Sequence, residues 1–176
     1  MGKNGGINMI QTNKLNIRNM SESDYSYMVK WLNDDLILEY YGPRLTMAEV
    51  MSKYGPRINN EHYVRPCIVE NKGEPIGYMQ YYKIPNEQFE KYGYTQEESI
   101  YGMDQFIGVP DLWGKGIGTQ MINALLKFLN SEMDVDKVVL DVKCTNLRAI
   151  KVYEKCGFRI VKDLEDNYFL MEWVKS

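Results

Sequence analysis

Histidine and cysteine, the residues that most often run metal and nucleophile chemistry, are scarce in this chain of 176 residues. There is one histidine, His62, and there are three cysteines, Cys67, Cys144 and Cys156. No two cysteines stand in a Cys-x-x-Cys pair, so neither a zinc centre nor a disulfide framework is expected. Reduced thiols in a cytosolic protein are the plain reading. A nucleophilic pair of Cys144 and His62 would have to be assembled from distant positions and is set aside. No apolar run approaches the ~20 residues of a membrane span. The opening residues, Met1-Gly2-Lys3-Asn4-Gly5-Gly6, carry no hydrophobic signal region, and Gly6 stands where a myristoylation signal needs Ser or Thr. A cytoplasmic setting is therefore the expectation. Basic residues do not dominate: 21 Lys and Arg against 24 Asp and Glu leave a net charge of −3, which disfavours a nucleic-acid partner.

What is present suffices for a folded domain. Hydrophobic residues make up 44 % of the chain. No linker, repeat or low-complexity tract divides it, and one mixed α/β domain over residues 1–176 is expected, with about the first 12 as a flexible leader. Leu15 to Arg18 alternates as a first strand. Ser21 or Ser23 caps a helix reaching Trp31-Leu32, with Met28, Trp31 and Leu32 on one face. Thr46 and Glu49 stand at capping-box spacing, and that helix is expected to stop near Gly55-Pro56. Val64–Glu70 and Pro75–Tyr82, joined by Asn71-Lys72-Gly73-Glu74, read as a hairpin. Residues 83–99 read as a polar loop with at most a helical turn near Gln88. Strand 100–108, helix 120–129, strand 137–143 and two closing strands, 158–162 and 167–173, follow. Met121, Leu125, Phe128 and Leu129 fall at helical spacing and read as core.

Asp104 to Phe158 is the most informative stretch. A strand ending in Phe106-Ile107-Gly108 runs into Trp113-Gly114-Lys115-Gly116-Ile117-Gly118-Thr119, and a helix starts at once. Strand, glycine turn and helix make an anion site: glycines let the chain come close, and the free N–H groups at the helix start face a phosphate. The turn is not a P-loop, since no Gly-x-x-x-x-Gly-Lys-Ser/Thr is present. Asn146-Leu147-Arg148-Ala149-Ile150 and Tyr153-Glu154-Lys155-Cys156-Gly157-Phe158 follow the next strand, and Tyr153 is a candidate proton donor.

This order resembles the GCN5-related N-acetyltransferase superfamily. The family's pyrophosphate motif, Gln/Arg-x-x-Gly-x-Gly/Ala, falls on Trp113 to Gly118. Its later Asn, Ala, Tyr and Gly-Phe fall on Asn146, Ala149, Tyr153 and Gly157-Phe158. Trp113 departs, standing where Gln or Arg is common. The resemblance implies a central, mostly antiparallel sheet flanked by helices, whose fourth and fifth strands, 100–108 and 137–143, splay apart. It implies acetyl-CoA as cofactor, lying along Gln105, Phe106 and Ile107, over Trp113, Gly114, Lys115, Gly116, Ile117, Gly118 and Thr119, and against Asn146, Arg148 and Ala149. Tyr153 would protonate the departing thiolate, and the molecule would be a monomer or a homodimer.

The acceptor is read from charge. Residues 82–111 hold six acids (Glu87, Glu90, Glu97, Glu98, Asp104, Asp111) and two bases, whereas 115–162 hold nine bases and five acids. An acidic stretch suits a polycationic acceptor and a basic one a phosphorylated cofactor. Asp104 could bind an ammonium or take its proton, and Asp141, on the neighbouring strand, could join it. Glu39-Tyr40-Tyr41-Gly42, Gly73-Glu74-Pro75-Ile76-Gly77-Tyr78 and Gly102-Met103-Asp104-Gln105-Phe106 resemble the aminoglycoside 6′-N-acetyltransferases. That likeness implies Asp104 as the catalytic or amine-binding acid and Asp141 as a substrate-binding aspartate. It sets Tyr40 and Tyr41 as platforms for sugar rings, with Tyr54 as a further candidate; Glu97 and Glu98, in the acidic stretch just upstream of Asp104, read from their charge as further anions for the substrate. Alternatives stay open at this point: a peptide N-terminus, a polyamine or a siderophore precursor as acceptor, or a non-catalytic acyl-CoA sensor.

Overall fold

A computed structural model describes residues 9–176. Its eight strands are β1 (Met9–Gln11), β2 (Leu15–Asn19), β3 (Arg65–Asn71), β4 (Glu74–Lys83), β5 (Ile100–Ile107), β6 (Lys137–Lys143), β7 (Arg159–Leu164) and β8 (Tyr168–Val174). They form one mixed sheet in the order β1-β2-β3-β4-β5-β6-β8-β7. The helices are α1 (Tyr25–Trp31), α2 (Asp35–Leu38), α3 (Met47–Ile58), α4 (Asn86–Tyr92), α5 (Ile117–Glu132) and α6 (Leu147–Lys155). The chain is organised as two compact units, residues 9–80 with 105–115 and residues 81–104 with 116–176, and β4 and β5 each run through both.

In the first unit the expected leader is only partly testable, because residues 1–8 lie outside the described part. Its end is strand: Met9, Ile10 and Gln11 pair antiparallel with Arg18, Ile17 and Asn16 of β2. Thr12 makes the turn, its Oγ1 accepting the Leu15 N–H at 2.9 Å. Ser21 starts a short 3₁₀ turn whose capping box with Asp24 leads into α1, and Met28, Trp31 and Leu32 are buried as their spacing predicts. Asp24 is almost wholly buried and is gripped at 2.8 Å by both terminal nitrogens of Arg18, which also faces Glu70 at 3.3 Å. Burial works to raise the Asp24 pKa, but the Arg18 fork and the Ser21 N–H prevail and hold it below the ordinary carboxylate value.

The Thr46 hydroxyl caps α3 by accepting the Glu49 N–H at 3.3 Å. The helix does not stop at Gly55-Pro56 but runs through Pro56 to Ile58. A proline removes one helical N–H; the turn continues because Asn59 N–H still reaches the Gly55 carbonyl at 3.0 Å and Glu61 N–H the Pro56 carbonyl at 2.8 Å. The β3–β4 hairpin turns on Lys72 (φ 52°) and Gly73 (φ 80°), the pair of left-handed residues that a two-residue hairpin requires.

In the second unit β6 and β8 pair antiparallel along their whole length, from Lys137↔Val174 to Lys143↔Tyr168. The β5–β6 pairing is parallel and covers only Ile100↔Lys137, Tyr101↔Val138 and Gly102↔Val139. Paired at its start and unpaired beyond Gly102, it has the splayed form expected of these strands. α5 buries Met121, Ile122, Leu125, Leu126 and Leu129. The tract 83–99 is not a plain loop: residues 86–92 form α4, ended by Gly93 at φ 78°. Its anchor is Phe89, buried among Ile84, Ile100, Val139 and Leu170. Phe89 and Tyr92 alone are too few to give a periodicity, which is why the sequence shows no more than the helical turn expected near Gln88.

Candidate active site

The glycine turn has the backbone an anion site needs. Gly114 and Gly116 sit at φ 75° and 82°, and a Cβ on either would meet nothing within 4 Å. The glycines are there for conformation, and the space outside them is open. Gly116 is the N-cap of α5 and offers no side chain to satisfy the helix start. The N–H groups of Ile117, Gly118 and Thr119 precede the first intrahelical partner, since Gln120 N–H is the one that reaches the Gly116 carbonyl, at 3.2 Å. With the dipole of a 16-residue helix behind them, these donors fit a pyrophosphate.

In the second unit two of the acids act on one tyrosine. Tyr92, at the end of α4, has its hydroxyl pKa pushed up to about 12, first by burial, then by the charges of Asp141 and Asp104. One phenol therefore lies in the field of both aspartates. Asp141 reaches water, yet enough protein surrounds it that desolvation raises its pKa against the pull of its own backbone N–H and of Lys91. For a carboxylate desolvated in this way, an ammonium would replace lost hydration. Tyr168, which pairs with Lys143 two residues on, is also raised, by burial and then by Asp141.

Not every acid expected here is available. Glu98 is committed to an ion pair with Lys137 at 2.6 Å, and that ammonium also lies 5.0 Å from the Tyr94 ring centroid. Glu97 is exposed. Tyr94 donates its hydroxyl to Glu172, 2.5 Å away and buried, which Arg159 approaches at 3.7 Å.

In the first unit Tyr41 and Phe106 form one aromatic cluster with Trp31 and Tyr78: Phe106 lies 4.5 Å from Tyr41, 5.9 Å from Trp31 and 5.7 Å from Tyr78. Tyr40 and Tyr41 are half-buried, as a platform for a ring must be. Tyr54 is corrected: it is 0 % exposed, packed edge-on against Tyr78 at 5.6 Å, and a side chain with no surface cannot stack on a sugar. Gln105 and Ile107 are half-buried, Lys115 is exposed, and Trp113 donates its indole N–H to the Ile107 carbonyl at 3.0 Å. His62 stacks on Tyr63, and its Nδ1 accepts the Val64 N–H at 3.1 Å, a local turn contact far from base chemistry.

α6 carries the remaining candidates. Asn146 caps it, Oδ1 accepting the Ala149 N–H at 3.3 Å, so its carbonyl oxygen is engaged by the helix while the NH₂ can donate outward. Arg148 is exposed beside this cap. Tyr153 is 9 % exposed, with its ring 5.9 Å from that of Phe158. The Cys156 thiol points to the Thr119 carbonyl of α5 at 3.8 Å, tying the two helices together. Among the described residues no cluster could hold a metal ion and no helix is long and apolar enough to cross a membrane.

A model of the acetyltransferase (GNAT) domain matches residues 20–165, a span that takes in both units. The chain belongs to the GNAT acetyltransferase family. Aminoglycoside N(6′)-acetyltransferase type 1 of Klebsiella pneumoniae is 36 % identical over 148 residues, which cover 81 % of this chain and 72 % of that protein. The solved structure of aminoglycoside acetyltransferase AAC(6′)-Ib with coenzyme A and kanamycin matches with a TM-score of 0.77 at 32 % identity, over 92 % of this chain and 95 % of that one. A spermidine N-acetyltransferase of Vibrio cholerae, solved with CoA and spermine, has a TM-score of 0.77 at 20 % identity over 93 % and 96 % of the two chains, a likeness of fold alone. As a GNAT enzyme the chain uses acetyl-CoA as its acetyl donor. Tyr92 and Tyr168, whose phenols lie in the field of Asp141, are the candidates that sequence reasoning missed. The signal for Tyr92 was Pro85 before, and Gly93 after, a segment with one buried anchor; for Tyr168 there was none, because it depends on which β6 residue it faces.

Proposed function

We propose that this GNAT enzyme acetylates aminoglycoside antibiotics, at the 6′-amine, and so inactivates them. The observation that carries this reading is the pair Asp104 and Asp141, whose charges converge on the Tyr92 hydroxyl. Aminoglycosides are small polycations with hydroxylated rings, and two carboxylates with phenols beside them match ammonium and hydroxyl groups in alternation. Within the first unit, Tyr41 and Phe106 pair as an aromatic surface of the kind on which a sugar ring stacks. The 36 % identity to an aminoglycoside N(6′)-acetyltransferase over most of the chain supports the same acceptor.

The chemistry needs a held thioester, a neutral amine and a proton for the leaving thiolate. The α5 N–H groups and Lys115 hold the phosphate end of the donor. Asp104, half-buried in β5, anchors the ammonium and takes its proton directly or through water. Asp141 and Tyr92 orient a second amine and a hydroxyl. Tyr153 gives its phenolic proton to the sulfur as the C–S bond breaks. Acetylation turns an ammonium into a neutral amide, and the drug loses a charge it needs to hold ribosomal RNA. The partner is this small polycation, without nucleic acid or membrane, and the enzyme works as a monomer or homodimer in the cytoplasm, where acetyl-CoA is made.

The test is acetylation of kanamycin beside paromomycin, which bears a hydroxyl in place of the 6′-amine, with the product located by NMR. Acetyl on the kanamycin 6′-nitrogen and no reaction with paromomycin support the reading; acetyl on another nitrogen, or equal reaction of both, defeats the regiochemistry.

A further inference from the structure

Trp113 stands where the family pattern favours Gln or Arg, and its geometry gives it a different task. The segment from Ile107 to Trp113 is a closed loop. At its start Gly108 N–H reaches the Ile76 carbonyl at 2.7 Å, and a Cβ on Gly108 would come within 2.4 Å of the Trp31 ring, so the chain is fixed there. Pro110 opens one 3₁₀ turn, in which Leu112 N–H binds the Val109 carbonyl and Trp113 N–H the Pro110 carbonyl, each at 3.0 Å. The Trp113 indole N–H then returns to the Ile107 carbonyl at 3.0 Å. The residue immediately before Gly114 is thus tied twice, by its backbone N–H to Pro110 within the turn and by its side chain to the strand end that feeds the loop. An indole has a single donor and no acceptor. With that donor on Ile107, the ring has nothing to offer a phosphate oxygen.

We propose that Trp113 is a positioning residue: it holds Gly114 and Lys115 at the angle from which the turn's backbone receives the pyrophosphate, and it does so through Ile107, without touching the cofactor. This rests on the turn being the acetyl-CoA site and is independent of the acceptor. Gln or Arg at this place can reach out to a phosphate; tryptophan exchanges that contact for a more rigid turn.

Trp113→Phe keeps the ring and deletes the donor. The affinity for CoA, read by calorimetry without any acceptor, should fall roughly threefold to tenfold, the worth of one hydrogen bond. The KM for acetyl-CoA should rise by the same factor with kcat unchanged. Acetylpantetheine, a donor that lacks the pyrophosphate, should react with variant and wild type alike. Unchanged CoA affinity overturns the proposal, and so does a parallel loss with acetylpantetheine, which would make the loop a support for the whole site. Should the variant unfold, NMR of the wild type decides: the Trp113 indole proton should be protected from exchange in the free protein and keep its position on CoA addition. An indole proton that exchanges freely until CoA binds contradicts the assignment. Failure of the aminoglycoside reading would appear in wild-type acceptor kinetics and would leave the CoA measurements standing.

Discussion

Gly116→Ala separates the two things a glycine can do in the cofactor turn. Its φ of 82° costs an alanine ~1–2 kcal/mol in the left-handed region. A stiffer unfolded chain returns ~0.4–1 kcal/mol, and the added Cβ meets no atom within 4 Å, so no steric term is added. The net loss of stability is about 1 kcal/mol, a fall of roughly 2–4 °C in Tm for a chain of this size. Gly73 is the matched control. Its φ is 80°, a Cβ there also meets nothing within 4 Å, and it lies in the β3–β4 hairpin, which carries none of the candidate site residues. The two alanine variants should therefore lose the same stability. They should differ in CoA affinity, because the methyl group at 116 stands where a phosphate must approach the N–H groups of Ile117 and Gly118. Loss of one hydrogen bond to a charged group, ~1.5–3 kcal/mol, corresponds to roughly 10- to 150-fold weaker binding. Calorimetry with CoA and thermal unfolding of both variants make the test. Equal CoA affinity in the two would refute the backbone-cradle account of the turn.

Other outcomes follow from the same structure. Asp104→Asn should fold and bind CoA normally while kcat drops on the order of 10²- to 10⁴-fold; wild-type turnover would remove Asp104 from the chemistry. Asp141 keeps its proton to higher pH than an ordinary carboxylate, so kcat/KM for an aminoglycoside should fall with acidification through that raised pKa, and Asp141→Asn should lack this limb of the pH profile. In the free protein the sign is reversed: the folded state loses stability as pH rises from the ordinary value through the raised one, a loss that denaturation of Asp141→Asn should not show. Tyr92→Phe should raise the aminoglycoside KM roughly threefold to tenfold and leave CoA affinity unchanged. Arg18→Met strands the Asp24 carboxylate, whose side chain is 3 % exposed, and should cost ~3 kcal/mol in urea unfolding.

The parts of the fold legible in sequence were those where short-range chemistry decides. Thr46 and Glu49 announce α3, Lys72-Gly73 the hairpin, and the paired glycines the start of α5. α4 was illegible because it is held chiefly by Phe89, entering a cluster that three distant strands, β5, β6 and β8, build together with the nearby Ile84. β1 was illegible for a like reason: three residues become a strand only because β2 offers an edge. In β8 Leu170, Met171 and Glu172 are buried in succession, which a strand's two-residue period does not foretell, and Glu172 is accommodated by its partners Tyr94 and Arg159. The site followed the same division. Backbone chemistry at Gly114 and Gly116 could be read directly. The availability of Glu98, Tyr54 and Asn146 could not, because it depends on Lys137, Tyr78 and a helix cap that only the fold supplies.

Free-thiol release from acetyl-CoA, followed with kanamycin, tobramycin, spermidine and a short peptide in turn, tests the central claim most directly. The account predicts fast release with the two aminoglycosides and little with spermidine or peptide. Tight acetyl-CoA binding with no release on any aminoglycoside would contradict it, as would a preference for spermidine.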